Sequence, residues 1–180
     1  MTSLDIFCRQ VLARSEEHRK AVYLLHRESV ISQVVAILRE ELDSMIRVIY
    51  LAQISDPKRQ NELIEAAITN QKWTQEKGKG KVTDREMVEI ADQLHGWTKS
   101  VYLFGCGFIH LSSFHDYQER DPLDMITPSE KKDIIEHLRY YHGGPSEQNP
   151  TYQDILPYLP RVFDKIASNL RHHLEDLKNL

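Results

Sequence analysis

One segment limits the architecture more than any other. Between Ile31 and Leu51, apolar residues fall at Ile31, Val35, Leu38, Leu42, Met45 and Ile49, alternately four and three residues apart. An α-helix brings such positions onto one stripe. Val34, Ile37, Val48 and Leu51 widen that stripe beyond the narrow seam of a two-stranded coiled coil, which calls for burial in a globular bundle. No stretch shows the period-two alternation of a half-buried strand, and 7 Gly and 7 Pro are few for a turn-rich β-protein of 180 residues. The expected fold class is all-α: an up-and-down bundle of long amphipathic helices with a short helical insertion, one domain over 1–180 and no internal repeat.

Capping chemistry places the neighbours of that helix. A first helix is expected from Ser3 to Arg27, with Phe7, Val11, Ala21 and Leu25 on a stripe interrupted between Val11 and Ala21. Ser29 opens the central helix, which gives way near Ile54 and Ser55. Asp56 is a good N-cap and Pro57 a good first residue for a third helix through Leu63, Ile64, Ala67 and Ile68. Thr83 and Glu86 form a capping box before Met87, Ile90, Ala91 and Leu94. A strongly apolar helix is expected from Thr98 to Tyr117, broken by Asp121-Pro122. Thr127, Pro128 and Glu130 open a short helix that ends at Gly143-Gly144. The last helix starts near Pro160 and carries the stripe Phe163, Ile166, Leu170, His173, Leu177 and Leu180. Residues 121–154 therefore read as an insertion. Residues 71–82, QKWTQEKGKGKV, read as a flexible basic loop. The run Gly105-Cys106-Gly107 inside an apolar helix predicts close approach by a neighbouring helix.

Charge and cysteine usage act by exclusion. A formal charge of −4 argues against coating nucleic acid by bulk electrostatics. The two cysteines, Cys8 and Cys106, lie far apart with no CxxC, which excludes the usual thiolate zinc site and suits reduced thiols. The apolar stretch Val101 to Phe114 is too short to span a bilayer and contains His110. Charged residues near the N-terminus do not read as a signal peptide. A cytoplasmic location without membrane association is expected.

The candidates for chemistry are polar residues that interrupt apolar stripes. A buried Arg or His must find a partner or shift its pKa. On the first helix Arg14 and His18, one turn apart, fill the gap between Val11 and Ala21. His115 falls on the face of Val101, Phe104, Phe108 and Leu111 if the helix continues, and is then expected to point inward. His173 occupies a position otherwise filled by Leu or Ile. Of the nine histidines, His110/His115 and His137/His142 are five apart, a spacing that turns a helix by about 140° onto different faces. Metal ligands are therefore not expected, and no cofactor motif such as a nucleotide-binding glycine loop is present. Lys77, Lys79 and Lys81 in the basic loop are candidate nucleic-acid contacts.

With its long N-terminal hairpin and a late apolar segment ending in FIHLSSFHDY, the chain resembles HEPN-type helical domains. Phe108, Leu111, Ser112 and His115 match the aromatic, Leu-Ser and His of the corresponding helix in that class. The resemblance implies a dimerising bundle in a toxin–antitoxin or phage-defence setting and, in active members, metal-independent RNA cleavage. Their hallmark is an Arg and a later His with four to six residues between them, on a late helix. Here that spacing is met by Arg19 and His26, on the first helix. The leading expectation is accordingly a homodimeric interaction or regulatory module with a protein partner. The alternative is an endoribonuclease acting on RNA, with His115 and His18 moving protons and Arg14 facing the phosphoryl oxygens. Self-association is also expected from the wide apolar faces of the second and last helices, which one domain would not cover.

Overall fold

The computed structural model describes residues 2–75 and 80–180. Its elements are α1 (Ser3–Arg27), α2 (Ile31–Ala52), α3 (Pro57–Ile68), α4 (Asp84–His95), α5 (Thr98–Ile109), α6 (Pro128–His142), the single turn α7 (Tyr152–Ile155) and α8 (Leu159–Lys178). The described residues form no named strand; one isolated antiparallel bridge joins Thr74 and Lys81. No helix among them is long and apolar enough to cross a membrane.

The caps follow the local chemistry. Asp56 accepts from the backbone N–H of Lys58 at the start of α3, and Thr83 from that of Glu86 at the start of α4. Thr127 and Glu130 close a reciprocal capping box ahead of α6. Gly96 and Gly143 end α4 and α6 with positive φ, at 67° and 78°, where a Cβ would be strained.

α2 is the axis of the bundle. It packs against α1, α4 and α5, and most extensively against α8. Val34, Leu42, Met45, Ile46, Val48 and Leu51 are fully shielded from solvent. So are Phe163, Ile166, Ala167 and Leu170 on α8, and these residues share a single core. The two apolar faces expected to need a second copy thus cover each other within one chain. Leu180, expected on the α8 stripe, lies beyond the helix and is exposed, while Leu174 is buried instead.

α5 is shorter than expected. It stops at Ile109, and a 3-10 turn over Ser113–Asp116 follows. The reason is local. Ser112 Oγ donates to the Gly107 carbonyl at 2.6 Å and accepts from the Phe114 N–H at 3.1 Å, which reverses the chain. Phe114 then folds back over Gly107, where a Cβ would occupy the space of its ring. There it joins Phe104 and Phe108, with ring centroids 5.6 and 5.5 Å away.

The segment 121–154 belongs to the core. Leu123, Tyr152 and Ile155 beside it are almost fully buried, and Tyr152 stacks on Phe108 at 5.9 Å. Asp121 joins the two ends of the segment: one carboxylate oxygen accepts from Leu123 N–H and the other from Tyr152 N–H, each at 2.8 Å. The basic loop is likewise held on both described sides. Trp73 is buried under the Arg47 guanidinium, Val82 N–H donates to the Trp73 carbonyl, and Arg59 donates to the Thr74 carbonyl.

Gly105 sets the distance between α2 and α5. A Cβ placed there would lie 2.7 Å from Arg39 Cβ, so the helices meet backbone to stem. Gly105→Ala gains about 1 kcal/mol of helix propensity but forces the pair apart. We expect a net loss of about 1–2 kcal/mol in urea unfolding; equal or higher stability in the variant would refute the close-contact assignment.

Candidate functional site

The polar gap on α1 meets a polar position on α2. Cys8, Ser15 and Val22 are spaced by seven on α1 and all are buried; Val34, Glu41 and Val48 repeat that spacing on α2. Ser15 and Glu41 are the middle members of the two rows. Ser15 Oγ donates to Glu41 Oε1 at 2.5 Å and His18 Nδ1 donates to Glu41 Oε2 at 2.8 Å. The Glu41 carboxylate has no exposure to solvent. Burying a carboxylate is tolerable because both of its oxygens are bonded.

Towards the solvent the seam continues with charged pairs. His18 Nε2 lies 3.4 Å from Glu40, Arg14 lies 3.5 Å from Glu40, and Arg14 donates to Ser44 Oγ at 3.1 Å. On the next face of α2, Arg39 and Arg47 share Asp84, at 3.3 and 3.2 Å. The Arg39 guanidinium also lies 4.1 Å from the Tyr102 ring centroid, a cation–π contact across α2 and α5.

This geometry locates the residues expected to act on RNA. Arg14 and His18 are on one seam, but both side chains are engaged by carboxylates. His115 is elsewhere: it is exposed on the 3-10 turn after α5, where its Nε2–H donates to the His110 carbonyl at 3.2 Å. The inward orientation expected for it fails because the helix that would have aimed it ends six residues earlier. No hydrogen bond or ion pair joins His115 to Arg14 or His18 among the described residues. Arg19 pairs with Asp164 at 2.5 Å, while His26 donates to the Leu156 carbonyl at 2.9 Å. Lys81 is exposed beside the Thr74 bridge, and Lys77 and Lys79 lie outside the described residues. Among the described residues, no group of three or more His, Cys, Asp or Glu side chains converges as metal ligands would.

Two features were missed in the sequence. The first is the Ser15–Glu41 contact, whose signal was the polar residue at the centre of each seven-spaced row. The second is a groove of about 400 Å³ between α5 and α6. Leu103, Ile126 and Ile134 give it an apolar floor, and Lys99 and Asp133 stand on its walls. Neither charged side chain has an ion-pair partner among the described residues. Leu103 is 43% exposed, and Leu111, just past the end of the same helix, is 97% exposed.

A histidine pair closes the junction of α4 and α8. His95 Nε2 and His173 Nε2 are 2.9 Å apart, so one ring donates and the other accepts. Burial depresses both pKa values; the neighbouring imidazole and Lys165 depress that of His95 further, while Asp176 opposes the shift at His173.

Two expected outcomes follow from these contacts. Glu41→Ala should cost about 3 kcal/mol in chemical denaturation because Ser15 and His18 lose a buried partner, against less than about 1 kcal/mol for Arg14→Ala at the exposed rim. Similar costs for the two variants would contradict a structural role for the seam. The depressed histidines bind fewer protons folded than unfolded, so their contribution is present above the unfolded value of about 6.5 and is lost as pH falls towards the folded values. Melting temperature should therefore drop on acidification through that window, and His173→Leu should lessen the drop. An unchanged pH slope in His173→Leu would remove the pair from this role.

No family model, curated protein or solved structure matches the chain.

Proposed function

We propose that this protein is a helical interaction module that forms a homodimer through the α5–α6 groove, as the HEPN resemblance also suggests. The observation that carries the reading is the pair of unpartnered, opposite charges, Lys99 and Asp133, flanking the apolar floor of Leu103, Ile126 and Ile134. An apolar centre with a polar rim is the usual anatomy of a protein interface. A surface bearing both a cation and an anion is complementary to its own copy across a two-fold axis, with Lys99 of each subunit facing Asp133 of the other. The exposed Leu111 and Ile109 extend the apolar surface at the end of α5.

The ribonuclease alternative finds less support. Arg14, needed on a phosphate, faces Glu40 and Asp43, and His18 is held between Glu40 and Glu41. A carboxylate-rich seam repels a phosphodiester.

Sedimentation velocity at about 50 μM, well above a micromolar Kd, tests the proposal. The wild-type protein should sediment as a dimer and a folded Leu103→Asp variant as a monomer. Lys99→Asp should weaken the dimer, and adding Asp133→Lys should restore it. A monomeric wild type, or a Leu103→Asp variant that stays dimeric, overturns the assignment. RNA incubated with the wild-type protein and a chelator should stay intact; cleavage that disappears in His18→Ala would favour the nuclease.

A further inference from the structure

A second opening adjoins the groove, sharing Ser100, Phe104 and Ile134 with it. It has a volume of about 80 Å³ between α2, α5, α6 and α8. Val35, Leu38, Phe104, Ile134, Leu138 and Val162 form its apolar wall. Its polar groups are concentrated on residues 137–142 of α6 and on Lys165 of α8, and every ionisable group there other than the Tyr141 phenol is a potential cation.

The ammonium of Lys165 lies 3.6 Å from the Tyr141 ring centroid and 5.6 Å from that of Trp97. Aromatic faces offset part of its charge but accept no conventional hydrogen bond. No carboxylate or other hydrogen-bond acceptor reaches its Nζ among the described residues. Nearby, His137 stacks on Tyr141, and its Nδ1 is buried without a hydrogen-bond partner. His142 lines the same pocket, with Arg161 donating to its carbonyl. The histidine feels this surplus of positive charge. Burial holds the Lys165 amine below its usual range, and burial followed by the charges of Lys165 and Arg161 does the same to the His142 imidazole.

We propose that this pocket binds a short-chain aliphatic monocarboxylate, with its alkyl body in the cavity and its carboxylate on Lys165. Each part of the ligand answers one feature. The volume of about 80 Å³ is roughly half that of an apolar cavity of about 150 Å³ that holds benzene, which suits a body of a few carbons and excludes a fused ring system. One ammonium, with no arginine fork aimed into the cavity, suits a single carboxylate better than a phosphate. The carboxylate would supply the acceptors that Lys165 lacks and offset the repulsion between Lys165 and His142. The two openings share Ser100, Phe104 and Ile134, but Lys165 and His142 line this one alone, so absence of carboxylate binding here would leave the dimer proposal untouched.

Isothermal titration calorimetry with sodium isovalerate, with 3-methylbutan-1-ol as the neutral isostere, tests the assignment on the full chain. Isovalerate should bind saturably at one site per chain, about tenfold more tightly than the alcohol, the scale of one charge-assisted contact. Lys165→Met keeps the apolar stem and should abolish that tenfold preference while circular dichroism remains native. Val162→Phe fills the cavity from a half-buried position and should abolish binding of both compounds. Absence of saturable isovalerate binding up to about 10 mM, far weaker than a millimolar Kd, overturns the proposal. So does equal affinity for acid and alcohol, a preference retained in Lys165→Met, or unchanged binding in folded Val162→Phe.

Discussion

The bundle depends on one buried carboxylate. α2 has neighbours on almost every side, and a helix in that position would ordinarily be apolar all round. Glu41 breaks the rule between Val34 and Val48, with no access to water. Its two oxygens are satisfied only if Ser15 and His18 of α1 lie opposite. A slip of α1 by one turn would set Val11 or Leu12 against the carboxylate and leave it uncompensated. The contact adds little net stability over a well-packed apolar pair. Its effect is on register, since α1 has a single position relative to α2 at which no buried charge is stranded.

α5 depends on that arrangement in turn. Arg39, anchored on α2 and reaching Asp84, passes over Gly105 and under Tyr102, so α5 approaches α2 closely only where it lacks a side chain. Two residues on, Gly107 admits Phe114 and lets the chain reverse. The aromatic cluster formed there holds Tyr152 and, through it, the segment from Asp121. One consequence is that α5 contributes to the contact with α2, to the aromatic cluster, to the α5–α6 groove and to the apolar pocket, with Ser100 and Phe104 lining both openings. The short helix thus borders both proposed binding regions.

Charge pairing separates the residues of the seams from those assigned to the two proposed binding regions. Arg14, His18, Arg19, Arg39 and Arg47 all have carboxylate partners within the chain, and each joins two elements or two turns. Lys99, Asp133 and Lys165 have no ion-pair partner among the described residues, and all three line openings. An unpaired charge beside an apolar surface has interaction energy still available to a ligand or a second subunit. A paired one has already been neutralised by its neighbour.

Periodicity and capping made most of the helices legible in the sequence. The stripe of α2, the caps at Asp56, Thr83 and Thr127, and the start of α8 depend on spacing and on groups a few residues apart, so they are decided locally. The close approach at Gly105 was also visible, because glycine in an apolar helix has few other uses. The end of α5 was not. The apolar pattern continues past Ile109, and the break rests on the Ser112 bonds to Gly107 and Phe114 and on Phe114 packing against Phe104 and Phe108, contacts that a hydrophobic period does not register. That break moved His115 from an inward face to the surface. The same limit applies to the polar residues: Arg14 and His18 were conspicuous as interruptions, but whether they were free to act depended on Glu40 and Glu41, more than twenty residues away. The sequence by itself determined the class of fold and the helix starts, since hydrogen bonding and hydrophobic period act within a few turns. Only the tertiary structure decided which charges were compensated, because compensation depends on which side chains the packing of α1, α2, α5 and α8 brings within a few ångströms.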